Sequence, residues 1–359
     1  MKRDVTNITV TAMVLALSPL MTTCLSARQL MEVASTVPGN GDLNPYGVAV
    51  VPVSIGNLVA GHILVSNFNN SSNQQGTGST IVDISPDGAT NLFAQIDAAS
   101  LPGPCPGGVG LTTALVVLQA GWVIVGSLPT ANGMSATAQA GCLIVLDSSG
   151  NPVETISGER INGPWDMTVL DMGYAADLFV TNVLNGTVAA NGSVVYGGTV
   201  VRIDLALSGT PTVTTTKTIG SGFAERTDPA ALVIGPTGVG LNAEGTLYVA
   251  DTLNNRIVSI SDAPTRTTSA GTGVTVVEGL NLNAPLGLAL RTDGEILALN
   301  GNNGYLVEFG PNGGEIDAKV IVTGGNPPGS GALFGLALGA AGVYYVDDDS
   351  NTLRLLASQ

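Results

Sequence analysis

Short apolar runs broken by Gly, Asn, Asp and Pro recur along almost the whole chain. GTLYVADTLNNRIVSI, from Gly245 to Ile260, is one example: a β-rich run, a polar corner, then a second β-rich run. Val, Ile and Thr fill the runs, as strands prefer, and the breakers supply turns. The pattern predicts an all-β fold of many short strands. The corner packs Asp251, Asn254, Asn255 and Arg256 into six positions. Such a cluster is either a site or a repeated structural part.

The same arrangement returns along the chain. Gly238 to Asp251, Gly287 to Asn300 and Gly335 to Asp348 each span 13 positions, and Asn254, Asn303 and Asn351 follow three residues later. In the earlier half NPYGVAV leads to Asn67 and Asn70, and GPWDMTV leads to Asn182 and Asn185. GGVGLTTALVVL leads to Ser127 and Thr130. Six units result. Short Asn and Asp side chains bond neighbouring backbone groups in tight turns. One corner used six times explains the spacing better than six active sites, so the corner is expected to be structural.

GTLYVADTLNNRI and the P-x-G strand before it resemble the NHL repeat. The resemblance covers residues 40–359, is strongest at 229–262, and is degenerate in the first three units. Of the six units only the fourth keeps the Arg, as Arg256. The resemblance implies one four-stranded blade per repeat. With six units it implies a six-bladed β-propeller. The sixth unit stops a strand short at TLRLLASQ, and RQLMEVAS (Arg28–Ser35) precedes the first. That N-terminal strand is expected to complete the last blade and close the ring, leaving no long edge open.

Residues 1–27 have a different character. Lys2 and Arg3 precede the apolar run ITVTAMVLALSPLM, and CLSA ends at Ala27. This is the build of a signal peptide, leaving 28–359 as a single propeller domain. Ser18 and Pro19 interrupt the run, which argues against a membrane anchor. Lipidation at Cys24 is a minor alternative. The mature chain is expected to be exported (periplasmic, secreted or cell-surface) without membrane insertion. Cys105 and Cys142 then form an even pair, expected as a disulfide, with two buried thiols the alternative. The net charge of −15, with Lys2, Lys217 and Lys319 the only lysines, argues against nucleic acid and anionic membrane partners.

In a propeller the inner-strand starts and the second-to-third strand loops share one face. The residues just before the Gly-equivalent positions are Tyr46, Val109, Trp165, Thr237, Leu286 and Phe334, and Asp166 replaces Gly in the third unit. They are expected to ring the channel mouth. Three aromatics among them, in a chain with 4% aromatics, fit either a ligand-binding mouth or a plug. Units one to three carry long loops on that face: Asn67–Ser79, Ser127–Gly141 and Asn182–Gly198. They suggest a lid or a partner surface, or tolerated insertions.

His62 is the single histidine, which excludes multi-His metal sites and argues against a Ser-His-Asp arrangement. Asp347, Asp349 and Asn351 alternate as in a calcium loop, but Thr352 and Ser358 stand where Gly and Glu are needed. Gluconolactonase-like hydrolases are similar in fold, and the resemblance would imply a central divalent metal held by acidic and amide side chains at the inner-strand starts. Tyr46, Trp165, Thr237, Leu286 and Phe334 hold those places here, and Asp166 alone supplies too few oxygens. No catalytic residue, metal or cofactor is therefore assigned. The reading is a non-catalytic binding protein for a small molecule, carbohydrate or protein, acting through the mouth and the long loops. One alternative is a metal-assisted hydrolase or lyase centred on Asp166 with Asp228 or Asn162. The other is a structural or surface-assembly protein, since fold alone does not settle function.

Overall fold

The structure is a computed structural model that describes residues 28–158 and 160–358. The expected signal peptide and Cys24 lie outside the described residues. Six antiparallel sheets follow one another around a ring. Their inner strands are Leu43–Val50, Leu111–Val117, Pro164–Asp171, Pro236–Leu241, Pro285–Leu290 and Leu333–Gly339. Each blade then runs outward in chain order, so the protein is the expected six-bladed propeller. Leu30–Ser35 pairs antiparallel with Thr352–Ala357 as the outer strand of the last blade, with Leu30 opposite Leu356 and Ser35 opposite Thr352. The ring is closed by strands from both ends of the chain.

Alternating side chains of each blade pack against the blades on either side, because a strand points successive residues to opposite faces. The result is a series of apolar clusters between neighbouring blades. One holds Ala114, Ile124, Met167, Leu178 and Val201; another holds Tyr248, Ala250, Leu288 and Ala298. Near the axis the inner strands touch backbone to backbone. A Cβ on Gly287 would lie 2.2 Å from the Phe334 carbonyl oxygen, and one on Gly335 would lie 2.1 Å from that of Tyr46.

The corners are structural, as expected. Asn254 Nδ2 donates to both Asp251 carboxylate oxygens at 3.0 and 2.9 Å, and Arg256 Nε donates to Oδ2 at 2.8 Å. Arg354 bonds Asp347 in the sixth blade at 2.9 Å. The strand registers correct two alignments. Pro236, Pro285 and Leu333 face Asp251, Asn300 and Asp347, so Asp347 rather than Asp348 is the sixth corner residue. Asn351 therefore matches Asn255, and the two behave alike. Both sit at φ +52° in the left-handed region that Asn tolerates. Asn255 Oδ1 accepts from Ala284 N at 2.9 Å, and Asn351 Oδ1 accepts from Asn44 N at 2.8 Å. Each amide latches one blade to the inner-strand start of the next.

Leu111 faces Ser127 in the second blade, which puts Thr112, not Val109, at the mouth position. The third blade is enlarged. Its outer strands run Val195–Ala206 and Thr212–Asp228, and a short fifth strand, Leu232–Ile234, turns back on the latter.

Candidate functional site

The mouth residues do come together, and they form a plug. Tyr46, Thr112, Trp165, Thr237, Leu286 and Phe334 are all buried, none more than 4% exposed. The Tyr46 ring stacks on Phe334 at 3.9 Å between centroids and on Phe68 at 4.4 Å. Burial, then the nearby Asp348 carboxylate, pushes the Tyr46 phenol well above its usual pKa. Thr237 and Thr252 share a hydroxyl hydrogen bond at 2.7 Å.

The enlarged third blade supplies the roof. Arg226, Thr227 and Asp228 pair with Ile234, Val233 and Leu232, and this hairpin lays Leu232 and Val233 into the same apolar cluster as Tyr46, Trp165, Leu286 and Phe334. Leu232 adopts φ +60°, a costly conformation for a branched side chain, and is 1% exposed. The long loops brace the roof. Gln75 of the first loop donates to Pro229 O at 2.9 Å, and Thr130 of the second donates its hydroxyl to Gln75 O at 2.6 Å. Val188, in a helical turn of the third loop, packs on the mouth cluster. Cys105 and Cys142 are disulfide-bonded with Cα atoms 5.1 Å apart, and Gly107 N bonds Ala140 O beside them at 2.7 Å. The bridge ties the base of the second loop to the chain entering the inner strand.

Asp166 stands apart from the mouth. It lines the central channel on the far side of the plug, a space of about 310 Å³. Its Oδ1 accepts from Met167 N at 2.8 Å and its Oδ2 from Val239 N at 3.1 Å. Burial outweighs those two bonds and raises its pKa to about 8. Asp228 and Asn162 do not join it. Asp228 is in the roof, and Asn162 Nδ2 bonds Asn185 Oδ1 at 2.7 Å. Asn185 N in turn donates to the buried Glu225 Oε1 at 2.9 Å, and burial raises Glu225 to about 7. His62 bonds Asp83 at 2.9 Å across two strands of the first blade.

The open space on the mouth face lies off the axis, over blades four to six. It is a pocket of about 310 Å³. Leu286 and Phe334 reach it from the plug, Arg226 and Asp228 wall it from the roof, and Asn255, Asn302 and Ser330 edge it. Arg226 Nη2 donates to Asp228 Oδ2 at 2.9 Å, and the arginine side chain is 37% exposed. Sequence reasoning missed Arg226 as a wall residue. Its signal is an Arg-x-Asp pair in a chain with only 12 Lys and Arg.

A central divalent metal does not fit these residues. The inner-strand starts present aromatic, aliphatic and hydroxyl side chains, all buried under the roof. Among the described residues no three His, Cys, Asp or Glu side chains converge to hold an ion.

No family model matches the chain, and no curated relative matches it. Solved structures do. A gluconolactonase from Xanthomonas campestris superposes with a TM-score of 0.59 at 13% identity, over 93% of this chain and 91% of that one. Regucalcin from Agrobacterium tumefaciens, a calcium-binding protein, gives 0.55 at 12%, over 91% and 94%. A catalytically inactive virginiamycin B lyase from Staphylococcus aureus gives 0.51 at 15%, over 91% and 84%. The chain therefore shares the six-bladed fold of the gluconolactonase- and regucalcin-like propellers.

Proposed function

We propose that the protein is an exported, non-catalytic binding propeller that takes a small polar ligand, of sugar or sugar-acid type, in the off-axis pocket. The observation that carries this reading is the pocket wall: an accessible guanidinium braced by a carboxylate, with amides and a hydroxyl around an apolar floor. Such a mixture of a few fixed polar groups over apolar surface suits a polyol with a ring face. The buried, roofed mouth speaks against turnover at the axis. Export is supported by the disulfide, which persists in oxidising compartments. Among the described residues no helix is long and apolar enough to cross a membrane.

Titration calorimetry with gluconate, glucose and gluconolactone tests the reading. At least one is expected to bind once per chain and to be recovered unchanged. Arg226→Ala is expected to weaken that binding by roughly ten- to a hundredfold, the worth of a hydrogen bond to a charged group. Binding that ignores Arg226→Ala, or no binding across the panel, overturns the reading.

A further inference from the structure

The far-face channel has no part in that function, yet it is built as a site. The plug closes one end. The walls come from all six blades, including Val50, Leu115, Val169, Leu241, Leu290 and Leu338. From Asp166 to Val169 the strand climbs three rises, roughly 10 Å. The space is therefore a slender blind tube. Asp166 sits at its closed end and is the sole ionisable residue lining it.

We propose that this channel binds a linear aliphatic amine, with the ammonium against Asp166 and the alkyl chain along the tube. Charge complementarity selects the head group. Asp166 is 9% exposed and accepts from two backbone N–H groups, and no Lys, Arg or His lines the channel. Each oxygen keeps a lone pair for a further donor. A buried charge without a counter-ion is costly, so burial keeps Asp166 protonated in the empty channel; an ammonium supplies the counter-ion and lets the carboxyl release its proton to solvent, where an alcohol or a carboxylate does not. The wall supports the same choice. Every inner strand is the free edge of its sheet, so peptide carbonyls face the axis along with N–H groups such as that of Val239, and those carbonyls can accept the remaining ammonium protons. The aliphatic side chains between those edges match methylene groups.

Octylamine, octanol and octanoate compared by calorimetry on the full chain test the assignment. Octylamine is expected to bind once per chain, at least about tenfold tighter than either partner. Asp166→Asn is expected to weaken octylamine by roughly ten- to a hundredfold and to leave octanol unchanged. Ala289→Phe narrows the tube while keeping Asp166, and is expected to abolish binding of both. Circular dichroism establishes that each variant folds; should Asp166→Asn fail to fold, Ala289→Phe and the three-ligand ranking decide. Equal affinity for octanol, a preference for octanoate, no binding, or binding that survives Ala289→Phe each overturns the proposal. Arg226→Ala leaves octylamine binding unchanged, which separates this site from the off-axis pocket.

Discussion

Chemical denaturation is expected to show the protein losing up to roughly 10 kcal/mol of stability between about pH 5 and about pH 8. Three buried carboxyls drive the loss. Burial raises Asp166 to about 8, and Glu225 and Asp348 to about 7. For Asp348 the neighbouring Asp349 and Asp347 add to the effect of burial. Below about pH 4 the folded and unfolded states both hold these protons, and stability does not depend on them. Above it the unfolded chain releases them while the folded protein keeps them. The folded state then binds more protons, so stability falls as pH rises, by about 1.4 kcal/mol per unit for each such group, until the folded-state pKa is passed. The lowered carboxyls, Asp87 and Asp147, change protonation at more acid pH and do not offset this window. Asp166→Asn is expected to flatten much of the slope and to raise stability at about pH 8. A flat profile from pH 5 to 8 in the parent protein would show that these groups are hydrated and ionised in the fold.

Replacing both Cys105 and Cys142 by Ala is expected to cost about 3–4 kcal/mol in the same assay. The bridge closes a loop across a sequence separation of 37. Constraining a loop of that length removes about this much chain entropy from the unfolded state. The loss is expected to be local in its structural effect. Hydrogen exchange should rise first in Ser127–Gly141, whose base the bridge holds, and then at the Ala230 amide, next to the Pro229 carbonyl that the braced Gln75 bonds. A loss below about 1 kcal/mol with unchanged exchange would mean that the backbone bonds around Gly107 already fix this loop.

The blades are readable in the sequence because the last three units repeat one spacing and the first three keep its corner pair three residues apart. The closing strand was readable because the sixth unit ends early and Leu30–Ser35 has no blade of its own. The register errors have local causes. In the sixth blade the first turn is a residue shorter, with Gly339 opposite Gly342, so counting from Gly335 overshoots Asp347. In the second blade Thr113 stands where the other units carry Gly or Asp, so the nearest Gly, Gly110, points to Val109 instead of Thr112. The sealed mouth was hidden for a different reason. Its roof is an insertion within one blade, and the left-handed Leu232 at its turn has no sequence signature. Arg28–Ser35 and the corners follow repeat logic; the pocket depends on a single hairpin that breaks it.

In the proposed function, that hairpin is what sets this propeller apart from the gluconolactonase it resembles in fold. Asp166 is cut off from the mouth face, and the positions that would have to ligate a metal are packed with rings and aliphatic groups. The most direct test is the rate of gluconolactone hydrolysis with the protein in excess calcium and again in chelator. The expected result is the buffer rate in both. A calcium-dependent rate above buffer would show that the mouth opens to a metal and a substrate, and would contradict a sealed, non-catalytic propeller.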